Sequence, residues 1–135
     1  MSAQVLQPAH WAKPKGYANG VAVRGRQVFI AGQIGWNADQ QLVSERFSEQ
    51  VRQALANVVA VLAEAGGRPE HIVRLTWFIT SRDDYYAQLK DIGAAYREIM
   101  GRCYPPMSVV QVVALMEAQA KVEIEATAVI PDAEV

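Results

Sequence analysis

The chain predicts a two-layer α+β domain, a mixed β-sheet with two helices packed on one of its faces. Three observations carry this. Strand-like and helix-like segments follow one another in the order β-β-α-β-α-β-β, each helical segment shows a single apolar stripe, and the strand-like runs are short and bounded by turn residues. With 135 residues there is room for one such domain, residues 1–135, and none for a second substrate domain; a 51% hydrophobic composition is enough to fill its core.

Residues 1–16, with Pro8, Pro14, Lys13, Lys15 and Gly16, show no periodicity and read as an extended N-terminal arm. Val21–Val23 and Gln27–Ala31 read as two strands joined through the Gly25 turn, a β-hairpin signal. Gly32, Gly35, Asn37 and Asp39 then take the chain out of the sheet, in a loop that carries Trp36. From Phe47 to Ala65 the apolar residues Phe47, Val51, Leu55, Val58, Leu62 and Ala65 recur every three or four positions. That spacing predicts a long amphipathic helix, ended by Gly66-Gly67 as a left-handed cap.

His71–Thr80 is β-branched and aromatic, with Val73, Leu75, Trp77 and Ile79 on one face and Ile72, Arg74, Thr76 and Phe78 on the other. A second helix begins at the N-cap Ser81, with Asp84 in the capping-box position, and buries the stripe Tyr85, Leu89, Ile92, Tyr96, Ile99 before Gly101 stops it. Two last strand runs follow Tyr104-Pro105-Pro106, at Ser108–Ala114 and Lys121–Val129. In the second, Val122, Ile124, Ala126 and Ala128 alternate with Glu123, Glu125 and Thr127. With helices on one face only, the other face keeps large apolar groups, more than a monomer usually leaves wet. This predicts a homo-oligomer that closes the face, unless the N-terminal arm folds over it.

Composition excludes several function classes. Thirteen basic and 14 acidic residues leave a net charge of −1 with no Lys/Arg cluster, which argues against nucleic acid or an anionic membrane as partner. One cysteine, Cys103, permits no internal disulfide, and His10 and His71 read as surface residues with no metal-ligand spacing, so no metal site is predicted. Cys103 lacks a histidine nearby in sequence and reads as an incidental thiol. No phosphate-binding glycine loop, leader or spanning segment is legible, and the default location is the cytoplasm. Glu123 and Glu125 share a strand face about 7 Å apart at ~3.3 Å rise per residue. By spacing alone they are a solvated face; covered by a neighbouring subunit, one would become a proton-transfer group.

In their order along the chain, several segments resemble the RidA family, also called the YjgF or enamine/imine deaminase family. Lys15-Gly16-Tyr17-Ala18-Asn19-Gly20-Val21 is similar to the family's G-P-Y-S-Q-A-V, and Phe29-Ile30-Ala31-Gly32-Gln33 to F-I-S-G-Q. Gln50-Val51-Arg52-Gln53-Ala54-Leu55-Ala56-Asn57 is similar to Q-T-R-Q-x-L-x-N, Tyr104-Pro105-Pro106-Met107-Ser108 to F-P-A-R-S, and Lys121-Val122-Glu123-Ile124-Glu125-Ala126 to K-[IV]-E-I-E-A. The resemblance implies a chorismate-mutase-like fold, a homotrimer with clefts between subunits, and cofactor-free hydrolysis of reactive 2-imino acids to 2-keto acids and ammonia. It also implies roles for Tyr17 as a residue lining the cleft, Gly32 as backbone approaching the ligand, and Glu123 as the residue orienting the attacking water.

Four positions depart from the family pattern. Ala31 stands for a serine, Gly93 for an asparagine, Met107 for the arginine of P-A-R-S, and Val109 for a cysteine. A thioether cannot clamp a carboxylate as a guanidinium does. With Trp36, these residues describe a more apolar cleft, suited to a larger or uncharged imine, enamine or related carbonyl compound and not to small 2-imino acids. Arg52, Arg97 and Arg102 are the candidates to replace the missing clamp. The competing readings are a binder of an apolar metabolite, in which Glu123 is a structural acid, and an interaction protein.

Overall fold

The computed structural model describes residues 3–132, so Met1, Ser2 and the last three residues of the predicted domain lie outside it. Its main sheet has the order β3-β6-β4-β5, formed by β3 (Arg26–Ile34), β4 (Ile72–Ile79), β5 (Met107–Gln111) and β6 (Val122–Ile130). β6 runs antiparallel to both β3 and β4, and β5 pairs parallel with β4, making the sheet mixed as the sequence predicts.

Helix α1 (Phe47–Ala63) packs on β3 and β6, and its stripe Val51, Leu55, Val58 and Leu62 shares one core with the inward residues Val122, Ile124, Ala126 and Ala128 of β6 and Leu75, Trp77 and Ile79 of β4. Each such aliphatic side chain contributes roughly 1.5–3 kcal/mol by leaving water. The helix ends two residues before the predicted Ala65, and the predicted glycine cap follows it. Gly66 takes φ +80, its N–H donates to the Ala63 carbonyl, and the Gly67 N–H donates to the Leu62 carbonyl, closing the left-handed cap.

Five sequence expectations are corrected. The N-terminal arm carries a strand, β1 (Gln4–Leu6), which pairs antiparallel with β2 (Gly20–Ala22). β2 therefore forms no hairpin with β3, whose partner is β6, and the element order becomes β-β-β-α-β-α-α-β-β. The chain also stays in the sheet past Gly32, as far as Ile34, because a bulge between Ile30 and Gln33 absorbs the glycine without ending the strand. His71 is buried, and its Nδ1 accepts the Arg68 N–H at 3.0 Å, closing the 3-10 turn Pro69–His71 that leads into β4.

The second predicted helix is two, α2 (Arg82–Ala87) and α3 (Leu89–Met100). Ser81 caps α2 as expected, accepting the Asp84 N–H at 3.1 Å. The chain turns at Gln88, whose side-chain oxygen accepts the otherwise unpartnered Ser48 N–H in the first turn of α1. Leu89 consequently leaves the apolar stripe and is exposed, while Ile92, Tyr96 and Met100 stay buried against α1 and the sheet.

Opposite the helices, the sheet shows Phe29, 72% exposed, Val110, 43% exposed, and a half-buried Phe78. No helix among the described residues is long and apolar enough to cross a membrane.

Candidate active site

Glu123 lies on β6 between the fully buried Val122 and Ile124, so strand alternation turns it to the face without helices. Across the ladder it stands opposite Phe78 of β4 and Ile34 of β3. The bulge in β3 leaves Ala31 and Gly32 without ladder partners of their own and brings the Gly32 backbone against the Glu123 side chain. A Cβ at residue 32 would overlap the carboxylate, so glycine is required for this approach. Glu125, two residues on, is exposed while Glu123 is half-buried, so the two carboxylates differ in environment although they share a face.

Tyr17 and Met107 meet elsewhere. The loop before β5 is held to the N-terminal segment by the Ala18 N–H, which donates to the Pro105 carbonyl. Tyr17, Asn19, Arg74, Thr76, Met107 and Ser108 line a cavity of about 220 Å³ there. Met107 also borders a second cavity, of about 260 Å³, between α3 and the β4–β5 edge. Its walls include Trp77, Tyr85, Leu89, Ile92 and Val109, with Gly93 on the helix side and Lys15 and Arg97 bringing positive charge. The positions where the family carries asparagine, arginine and cysteine are thus neighbours around one cavity, while Trp36 is not among them. Trp36 lines a different hollow with Gln33, Gln53 and Asn57, held by the Asn57 Nδ2, which donates to its carbonyl at 2.9 Å.

The candidate residues therefore fall into two groups. Met107 and Val109 lie on the edge strand β5 and pack toward the helix side, whereas Ala31, Gly32 and Glu123 lie on β3 and β6 with Glu123 on the other face. β6 and β5 are two strand spacings apart, roughly 10 Å at ~4.8 Å each, and along β4 Met107 stands level with Leu75 while Glu123 stands level with Phe78. One chain does not bring Glu123 to Met107.

Several other groups have defined roles. The Tyr96 hydroxyl donates to the Cys103 carbonyl, and its ring stacks on Tyr104 with centroids 5.4 Å apart. Burial, then Cys103 and Tyr104, push the Tyr96 hydroxyl far above the usual phenol range. Burial, followed by the charge of Glu70, pushes the Cys103 thiol up, which disfavours the thiolate that a nucleophile needs. Arg52 is committed to Glu49 and Glu98, each at 3.3 Å. No three His, Cys, Asp or Glu side chains among the described residues are placed to hold a metal ion.

Arg74 and Lys15 are site-lining residues that the sequence reading did not select. Of Arg52, Arg97 and Arg102, Arg97 is the one that lines this cavity, and the signal that singles it out is its position four residues after Gly93, on the same helix face.

The chain is similar to known proteins over most of its length. A family model described as Endoribonuclease L-PSP matches residues 10–130. A RutC family protein of Aquifex aeolicus is 37% identical over 114 residues, covering 84% of this chain and 87% of its own length. The human protein named 2-iminobutanoate/2-iminopropanoate deaminase is 30% identical over 134 residues, covering 96% of this chain and 93% of its own. Among solved structures, YyfB of Yersinia pestis, described as a protein of unknown function of the conserved Rid family, is similar with TM-score 0.82 and 33% identity, covering 96% of this chain and all of its own. Escherichia coli TdcF, solved with bound serine, is similar with TM-score 0.68 and 33% identity over 84% of this chain and 87% of its own.

Proposed function

The chain belongs to the RidA (YjgF) family, and from that membership we propose that it is a cofactor-free hydrolytic deaminase acting on a reactive imine or enamine bulkier than the small 2-imino acids. The observation that carries this reading is the Glu123 carboxylate held against the Gly32 backbone, in a family whose relatives include named deaminases. In the proposed reaction Glu123 accepts a proton from water as its oxygen bonds to the imine carbon. The nitrogen gains that proton, giving an adduct that carries hydroxyl and amino groups on one carbon; the hydroxyl proton then passes to the nitrogen as the carbon–oxygen double bond forms and the carbon–nitrogen bond breaks, so that ammonia leaves a carbonyl product. Tyr17 lines the cleft and orients the substrate.

The separation of Glu123 from Met107 supports a site completed by a second copy, in which β5 of one subunit approaches β3 and β6 of the next. A homotrimer closing in this way would also cover Phe29, Phe78 and Val110, and sedimentation of the purified protein as a trimer is its test. The near-zero net charge favours a small-molecule substrate over the RNA implied by the description of the family model.

The functional test measures ammonia release from imines generated in solution, some with small and some with bulky apolar side chains. Faster release from the bulky members is expected, with Glu123→Gln slowing it about 10²-fold or more. No acceleration, or full activity in E123Q, would overturn the reading. Ligand binding without turnover would favour the alternative of a metabolite-binding protein, which Met107 in place of arginine makes the specific competitor.

A further inference from the structure

Gly93, Met107 and Val109 line one cavity, and two cations, Arg97 and Lys15, enter the same cavity. We propose that Arg97 is a specificity-determining residue that holds a carboxylate of the substrate. The substrate class is then an imine or enamine that carries a carboxylate together with an aromatic or bulky aliphatic group. This rests on the deaminase reading for the reaction and on the cavity for the ligand.

Position 97 follows position 93 by one helical turn, so the two residues share the face of α3 that borders the cavity. Gly93 leaves that turn open. The point where its Cβ would stand is 3.3 Å from Arg97 Nη1, so a larger residue at 93 would press on the guanidinium. Arg97 has no ion-pair partner among the described residues, and no Asp or Glu lines the cavity. Arg97 is exposed in the single chain, and its guanidinium is available for a bidentate carboxylate. Trp77, Tyr85, Leu89 and Ile92 supply an apolar wall for the remainder of the ligand. Arg74 is the rival cation, but its cavity is walled by Asn19, Thr76 and Ser108 and offers no comparable apolar surface.

Calorimetric titration of the full chain with phenylpyruvate, with pyruvate as an anion lacking the apolar body, and with phenylacetone as a neutral analogue tests this. Phenylpyruvate should bind most tightly. Arg97→Met should weaken it about tenfold or more, Arg97→Lys should retain part of the affinity, and phenylacetone should change by less than about twofold. No binding of phenylpyruvate, unchanged affinity in R97M, or a loss in Arg74→Met in place of R97M would overturn the proposal. Binding that depends on Arg97 without any ammonia release would sink the deaminase reading alone. Ammonia release that is indifferent to R97M would sink the carboxylate site alone.

Discussion

The Glu123 carboxylate rests on the Gly32 backbone, in space that any side chain at position 32 would need. Gly32→Ala should therefore act on position more than on stability. The atoms in conflict belong to the end of a side chain, which can rotate away, so the fold should survive at a cost of about 1–3 kcal/mol. The displaced carboxylate would no longer reach its proton acceptor position, and ammonia release should fall about 10²-fold or more. Thermal unfolding measured beside the deamination rate checks both halves, and a fully active G32A would show that the contact is incidental.

Gln50 gives a second, structural prediction. It is completely buried on α1, its Nε2 donates to the carbonyls of Ser44 at 2.9 Å and Gln119 at 3.1 Å, and its Oε1 accepts the Lys121 N–H at 2.8 Å. One side chain thus ties the start of α1 to the residue preceding β6, two positions before Glu123. Gln50→Leu would leave these backbone groups without their partner, at about 1–3 kcal/mol for each that water cannot reach. A denaturant midpoint close to that of the parent protein would contradict this.

Much of the fold was legible where local chemistry decides it. The stripe of α1, the Gly66 cap, the Ser81 cap and the alternation of β6 are set by neighbours three or four residues away at most. What escaped was set by partners distant in sequence. Nothing near Val21 says that it pairs with Val5 instead of with β3, and nothing near Gln88 says that its side chain will cap α1. The site behaves in the same way. Tyr17, Gly32, Glu123 and Met107 stand out by resemblance, but the separation of Glu123 on β6 from Met107 on the edge strand β5, and their opposite faces, depend on the strand order β3-β6-β4-β5.

Tyr96 makes stability depend on alkaline pH. Its hydroxyl is raised in the folded chain above its ordinary 10.0, first by burial and then by Cys103 and Tyr104, so the neutral form is favoured by folding. Below about pH 10 the hydroxyl keeps its proton in both the folded and the unfolded chain, and its contribution to stability is fully present. Above it the unfolded chain loses the proton first, and stability falls as pH rises toward the folded value, by up to about 1.4 kcal/mol per pH unit for one proton. Tyr96→Phe should cost about 1 kcal/mol at neutral pH through the lost bond to the Cys103 carbonyl, and should lessen the alkaline slope. Urea unfolding between pH 8 and pH 11 reads both, and an undiminished slope in Y96F would assign the alkaline loss to other groups.

Met107 borders both cavities, packs against the core, and stands beside Leu75 of β4 in the parallel ladder. Met107→Arg should restore a guanidinium where the family carries one and raise deamination of 2-iminobutanoate, the substrate named for the human relative. The same change places a second cation in the cavity that already holds Arg97, and like charges there oppose one another. The gain should accordingly be modest in M107R alone and larger in M107R combined with R97M, where the clamp has moved without being doubled. Residues sharing a cavity are expected to be non-additive, by about 0.5–3 kcal/mol, so the four rates of this cycle measure the coupling directly. If neither variant gains on 2-iminobutanoate, the obstacle is not charge alone. It then lies in the shape that Ala31, Gly93 and Val109 give the cleft, and bulky imines should remain the better substrates in all four proteins.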